Sequence, residues 1–163
     1  MKPADLLALL REFYADARAL RERHEASARF IRQYDFNNTY QYVISREDGH
    51  LSWLRQAIES MGGTAPEADA GPAALPGGAG KGAAAGIAQD DAREAQALIE
   101  RWQGRCEAVT HARHGRMLNV ILGEAREHKR FFDQAAAGRT DLLGRRTRGS
   151  EAGGGVLPTR WVE

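Results

Sequence analysis

The sequence predicts an all-α protein, a four-helix bundle made of two antiparallel hairpins, and three observations carry this prediction. Apolar residues recur at steps of three and four in four separate stretches, as they do on one face of an α-helix. Short polar connections join the first stretch to the second and the third to the fourth, which is typical of helical hairpins. A long connection rich in Ala, Gly and Pro lies between the hairpins, and we expect it to be flexible.

The first hairpin is predicted from helices over residues 4–34 and 39–61. The apolar stripe of the first helix includes one polar residue, His24. Turn and N-cap residues at 34–39 interrupt the pattern before the second helix begins. The second helix is expected to end at Gly62, because glycine is the usual residue just beyond a helix C-terminus.

The long connection covers residues 62–88. Of these 27 residues, 21 are Ala, Gly or Pro, so the segment has too little apolar bulk to pack and too many helix breakers to hold a helix. The third helix is predicted over 89–111, with Asp90 and Asp91 in its first turn, where the helix dipole favours acids. The fourth helix is predicted over 116–137.

We expect one domain over residues 1–137 and a basic tail over 138–163, with five Arg against three acids. The tail ends in an apolar segment, 156–163. It has two interpretations: a strap that docks on the bundle itself, or a short peptide that binds a partner. Nucleic-acid binding through Arg139, Arg145, Arg146 and Arg148 is disfavoured, because no aromatic residues lie among these arginines to stack on bases.

Composition limits the function classes. The formal net charge is +1, so no strong field attracts nucleic acid or a membrane surface. No apolar run approaches the roughly 18–20 residues that cross a bilayer, and the N-terminal residues lack an uninterrupted apolar signal core. The single cysteine, Cys106, rules out an internal disulfide and fits a reducing compartment. We therefore expect a cytoplasmic protein without nucleic-acid or membrane partners.

Two helical stretches each present a carboxylate and an imidazole from one face. Glu47 and His50 are three residues apart, and Glu124 and His128 are four apart. All four lie at core positions of their helices. Carboxylate and imidazole groups on facing helices are the ligands that bind iron, manganese or zinc inside bundles, so the pattern predicts a metal site.

Hairpin register adds a fifth candidate ligand. Folding the first hairpin about residue 36 or 37 puts Glu47 and His50 level with residues 26 and 23, so His24 lies at the same height. Taken alone, His24 is most simply a half-buried histidine with a hydrogen-bond partner. The predicted metal ligands are His24, Glu47, His50, Glu124 and His128.

A metal-free interpretation stays open beside this one. The three histidines, hydrogen-bonded to the two glutamates, would form a polar layer that fixes the helix register without any chemistry. Burying an unpaired carboxylate or imidazolium costs on the order of several kcal/mol. A metal ion compensates this cost well, because it accepts carboxylates and neutral imidazoles together.

Two segments carry a resemblance to a known family. Residues 46–63, Arg-Glu-Asp-Gly-His-Leu-Ser-Trp-Leu followed by an apolar run and Gly-Gly, resemble the second helix of the ferritin-like superfamily, particularly its rubrerythrin-type members. Residues 123–132, Gly-Glu-Ala-Arg-Glu-His-Lys-Arg-Phe-Phe, are similar to the fourth helix of that family. The resemblance covers residues 4–137 without the linker. It implies a ferritin-like four-helix bundle, often paired as a homodimer.

By this resemblance, Glu47 and Glu124 are bridging carboxylates, and His50 and His128 are terminal ligands. The cofactor is iron, with manganese or zinc as alternatives, at one or two ions per chain. The implied activities are oxidation by oxygen or peroxide and iron handling; whether the chain is an enzyme stays open. The alternative is a metal-free bundle that binds a partner, for example through its tail.

The sequence departs from the family pattern on three helices. Ala125 stands three residues before His128, where the family has Glu, so the neighbouring glutamates must serve instead. The first helix offers His24 in place of a glutamate. The third helix presents Trp102 and Cys106 inward. A single-metal site and an altered dinuclear site richer in histidine therefore both stay open. The reserve ligands are Glu25, Glu100 and Glu127.

Overall fold

The computed structural model describes residues 1–67, 83–139 and 142–143, and within these ranges the chain forms four α-helices and no strand. The all-α prediction is confirmed. No helix in the described ranges is long and apolar enough to cross a membrane. The helices are α1 (Pro3–Ala28), α2 (Tyr34–Ser60), α3 (Ala83–Glu107) and α4 (Ala112–Ala136).

The four helices pack as a bundle in which α1 lies beside α2 and α3 lies beside α4. Contacts between α1 and α3 and between α2 and α4 close the ring. Two hydrogen bonds show that α1 and α2 are antiparallel. Near one end, Arg55 donates to the Tyr14 hydroxyl at 3.1 Å, and near the other, the Asn37 side chain donates to the Ala28 carbonyl at 3.1 Å.

The first turn lies at residues 29–33, so the predicted turn at 34–39 is wrong. Asn37 is helical, and its amide nitrogen donates to the backbone carbonyls of Ala28 at 3.1 Å and Ile31 at 3.0 Å. From within the first turns of α2, the side chain thereby satisfies the carbonyl of the last α1 residue and one carbonyl of the turn. A residue typical of turns therefore lies inside a helix, and α2 starts earlier than predicted.

The third helix begins at Ala83, so the last part of the predicted linker 62–88 is helical. Ile87 and Ala88 are 2% and 0% exposed, and their burial explains why an Ala-rich segment joins the helix. The part of the linker at 68–82 lies outside the described residues.

The connection between α3 and α4 lies four residues earlier than predicted, at 108–111, because α3 ends at Glu107 and α4 begins at Ala112. His111 is the N-cap residue of α4, and its Nδ1 accepts a hydrogen bond from the His114 backbone N–H at 3.4 Å. The helix α4 therefore includes residues 112–115, which the predicted helices 89–111 and 116–137 leave as the connection.

Two apolar clusters fill the bundle, one toward each end. The first lies at the end where α1 begins, and the second lies at the end where α2 begins. From the predicted tail, Leu142 is buried against the second cluster; the segment 156–163 lies outside the described residues. The largest fully buried apolar side chains are Leu10, Phe13, Leu54, Ile58, Trp102, Leu118 and Leu122 in the first cluster, and Tyr40, Ile87 and Phe132 in the second.

A buried carboxylate on α3 links three helices. Asp91 is fully buried; its Oδ2 accepts from the Tyr40 hydroxyl at 2.5 Å, and its Oδ1 accepts from Arg23 Nε at 2.7 Å. Asp91 was expected in the first turn of its helix, and this expectation is wrong because the helix begins earlier. Burial and the adjacent carboxylate raise the pKa of Tyr40, so its hydroxyl stays a donor to Asp91.

Replacing Tyr40 by Phe should lower the free energy of unfolding by roughly 1.5–3 kcal/mol, the usual range for a hydrogen bond to a charged group. The change leaves Asp91 buried with one partner fewer, while the ring still fills its place in the core. Urea unfolding at neutral pH measures the effect. The matched control is Tyr42→Phe, at a side chain that is 39% exposed; an equal loss in both variants would contradict the role of the Asp91 contact.

Candidate functional site

A layer of polar side chains separates the two apolar clusters, near the middle of α2 and α4 and toward the C-terminal end of α1. It contains all five predicted ligands. Three histidines and one glutamate of the layer are buried, with exposures between 0% and 7%, and the Glu124 side chain is 19% exposed at its edge. We call this set the polar layer: His24 from α1, Glu47 and His50 from α2, and Glu124 and His128 from α4.

Glu47 is the centre of the inner part of the layer. Its two carboxylate oxygens lie 2.9 and 3.0 Å from His24 Nδ1, which donates to them. The Nδ1 of His128 lies 3.7 Å from Glu47 Oε1. One carboxylate on α2 therefore contacts an imidazole from α1 and another from α4.

The charges in this inner part favour an ion pair between Glu47 and His24. Burial acts to raise the pKa of Glu47, but His24 and His128 outweigh it and hold that pKa at about 2. Burial acts to lower the pKa of His24, but the Glu47 carboxylate outweighs it, and the pKa is raised above its usual value. The buried carboxylate is thus ionised, and it stabilises a proton on His24.

Glu124 forms the outer part of the layer. Its Oε2 accepts from His50 Nε2 at 2.9 Å and from Arg46 Nε at 2.8 Å, and its Oε1 pairs with the other arm of the Arg46 guanidinium. Arg46 is the main cause that lowers the pKa of Glu124. Burial lowers the pKa of His50 despite the nearby carboxylate, so this imidazole is more readily neutral than His24.

Ring contacts join the inner and outer parts. The His50 and His128 rings are stacked, with centroids 6.4 Å apart and planes at 22°. The Trp53 ring lies 5.5 Å from the His50 ring on the outer side. On the inner side, the His24 ring lies 4.9 Å from Phe132. The five ligand candidates therefore form one continuous layer between aromatic neighbours.

Two imidazole nitrogens of the polar layer are buried without a hydrogen bond in the described part of the chain, which is unusual for polar atoms in a protein interior. The Nε2 atoms of His24 and His128 are buried and have no hydrogen-bond partner among the described residues. In both histidines, the other ring nitrogen faces Glu47. Within the described ranges, no three His, Cys, Asp or Glu side chains are already arranged around one point as ligands of a single ion.

The reserve ligands lie outside the layer. Glu25 pairs with Arg21, and Glu127 lies 3.7 Å from Arg130. Glu100 is exposed and accepts from the Gln96 side chain at 2.7 Å. Each of these carboxylates has a partner on its own helix.

Sequence reasoning missed two charged residues that shape the layer. Asp91 is the buried acid of α3, and its charge also acts to raise the pKa of His24. A signal for it existed, because Asp91 continues the three-to-four spacing of Ala88, Ala92 and Ala95. Arg46 gave no such signal: it precedes Glu47 in the chain, and its pairing with α4 depends on how the helices pack.

The Glu47→Gln variant should lose roughly 3–5 kcal/mol of stability near pH 6 in the metal-free protein, because it leaves the His24 proton buried without its counterion. The Glu47 carboxylate, with its lowered pKa, stabilises the fold fully above about pH 4.5, and this contribution is lost toward pH 2. The raised pKa of His24 makes its contribution full below pH 6.5 and lost at higher pH. The difference in the free energy of unfolding between wild type and variant should therefore be largest between about pH 4.5 and pH 6.5.

Urea unfolding across this pH range, with a chelator present, measures the difference. The control is Glu25→Gln, since the Glu25 side chain is 45% exposed and its surface pair is worth about 0–1 kcal/mol. A Glu47→Gln effect that is small, or that does not change with pH, would contradict the ion pair.

Comparison of the chain with protein-family models, with curated protein sequences and with solved structures found no match. The ferritin-like resemblance therefore stays an expectation that depends on the two helical motifs.

Proposed function

We propose that the polar layer binds one or two metal ions, with iron as the first expectation and manganese or zinc as alternatives. The ligands come from the set His24, Glu47, His50, Glu124 and His128. The observation that carries the proposal is the pair of buried Nε2 atoms, on His24 and His128, without a partner among the described residues. A histidine whose one nitrogen donates to a carboxylate and whose other nitrogen is free is the usual form of a metal-binding histidine.

The free energy of the layer supports this proposal over a purely structural layer. A buried polar atom without a hydrogen bond costs roughly 1–3 kcal/mol, and His24 and His128 each carry one. A layer with no role beyond helix register is expected to satisfy such atoms, since interiors leave few unpaired. A bound cation would satisfy both nitrogens and also balance the charge of Glu47.

The roles of the ligands follow from their present partners. Glu47 orients the two imidazoles, and it accepts the Nδ1 proton of His24, which leaves Nε2 as the nitrogen that would bind an ion. His50 and His128 are the terminal ligands that the ferritin-like resemblance implies. Glu124 is the weakest candidate, because it contacts an ion only by giving up part of its pairing with Arg46.

An iron centre, when bound, supplies redox chemistry toward oxygen or peroxide. Oxidase, peroxidase or iron-handling activity is therefore the proposed function class, on a ferritin-like bundle with two hairpins. The surrounding side chains limit access: Trp53 lies against His50, and the apolar clusters lie above and below the layer. We retain the cytoplasmic expectation, since Cys106 is a free buried thiol.

One observation favours a second candidate function, a metal-free bundle that binds a partner. Both carboxylates of the layer already have cationic or hydrogen-bonding neighbours, Glu47 with His24 and Glu124 with Arg46. In that case the partner is a second copy of the chain, or a protein that binds the segment 156–163.

Metal analysis separates the two candidates. The protein is purified without chelators or a metal-binding tag and reloaded anaerobically with Fe(II), Mn(II) or Zn(II). We expect about one or two ions per chain in the wild type, and at least about a 10–100-fold loss of affinity in His50→Gln and His128→Gln. The control is His111→Gln, because His111 is exposed in the turn before α4. A wild type without stoichiometric metal under every condition would overturn the proposal.

Metal binding should weaken as the pH falls. An imidazole ligand must lose its proton, and the raised pKa of His24 means that protons compete already above pH 6.5. For each proton released, the affinity should drop by about tenfold per pH unit below that pKa. Competition with a zinc indicator at several pH values measures the slope. A flat profile between pH 6 and 8 would exclude His24 as a ligand.

A further inference from the structure

A cleft on the outer face of the bundle lies between α2 and the first turns of α4, with a volume of about 330 Å³. Its apolar wall contains Trp53 and Val120, which are 40% and 48% exposed, together with Ala57 and Met117. Volumes of about 300–1,000 Å³ with mostly apolar walls are typical of small-molecule sites. The cleft is therefore large enough for a short alkyl or aryl group.

One end of this cleft is cationic. Arg113 and Arg116 belong to its lining, and no acidic residue does. Neither guanidinium has a carboxylate partner among the described residues. The cleft also lies at the N-terminal end of α4, where the helix dipole favours an anion.

A buried histidine gives an independent indication of a ligand. His114 lines the cleft and is 5% exposed, and its Nδ1 is buried without a hydrogen-bond partner among the described residues. Burial, His111 and Arg113 all lower the pKa of His114, so its imidazole is neutral and is able to donate one hydrogen bond. The cationic end thus contains two unpaired guanidinium groups and one unsatisfied ring nitrogen.

We propose that this cleft binds a small amphiphilic carboxylate, with its acid group at Arg113, Arg116 and His114 and its apolar part along Trp53, Met117 and Val120. An apolar wall alone would fit any alkyl group, and two arginines alone would fit any anion; their combination selects a molecule with both parts. The cleft is separate from the polar layer, although Trp53 lines the cleft and also lies against the His50 ring. This binding does not depend on metal in the layer.

Octanoate is the probe, titrated into the full chain by calorimetry in the presence of a chelator. We expect saturable one-to-one binding with a dissociation constant on the order of millimolar or tighter. Two reference compounds separate the contribution of the charge from that of the alkyl chain: 1-octanol lacks the charge, and inorganic phosphate lacks the apolar part. Both should bind at least about tenfold more weakly, since a charge-assisted contact or a buried alkyl chain each contributes that much.

The double variant Arg113→Gln/Arg116→Gln should weaken octanoate binding at least about tenfold. The matched control, Arg126→Gln/Arg130→Gln, removes the same charge from exposed positions of the same helix. Val120→Glu tests the apolar wall at an exposed position that does not threaten folding, and it should also abolish binding. The proposal is overturned if octanoate shows no saturable binding, if phosphate or octanol binds equally well, or if the control variant loses as much affinity as the double variant.

Discussion

The contact between the Glu47 carboxylate and the imidazoles of His24 and His128 is the constraint on which the rest of the bundle depends. It joins α1, α2 and α4 at one height through a single ionised side chain. A buried carboxylate is stable only where cationic or donor groups surround it. The contact therefore fixes the register of these three helices more strictly than apolar packing does, because a shift by one turn would leave the charge without a partner. The two apolar clusters fill the space on either side of this layer.

The helix α3 is held differently. Among the described residues, the layer has no member from α3, and that helix is tied instead by Asp91 to Arg23 and Tyr40. The contacts of Asp91 lie next to the polar layer, since the Asp91 carboxylate acts to raise the pKa of His24. Two buried carboxylates on different helices thus act on the same imidazole. The protonation of His24 consequently depends on the packing of three helices, although no single helix shows this in its sequence.

The fold class and most of the layer could be predicted from the sequence, because both depend on periodicity. The apolar spacing gives the four helices, and the same spacing places Glu47, His50 and His128 inward. Helix boundaries were less predictable. Asn37 is a typical turn residue, yet it lies inside α2 because its side chain donates to the carbonyls of Ala28, at the end of α1, and Ile31, in the turn. The segment after Ala83 is helical because Ile87 and Ala88 have a core to enter. In both cases the predicted helix boundary is wrong because a tertiary contact overrides the local propensity of the sequence.

If the layer binds metal as proposed, its charges bear on how many ions it would hold. Glu47 and Glu124 carry two negative charges, and the guanidinium of Arg46 and the proton on His24 balance them. One divalent ion that displaces the His24 proton leaves the layer with one excess positive charge, whereas two ions leave three. Since excess charge is costly in a buried layer, a single ion fits these residues better than two unless Arg46 moves away or a further anion enters. A histidine on α1 is consistent with this preference, because a neutral imidazole adds a ligand without adding the negative charge that a second ion would require.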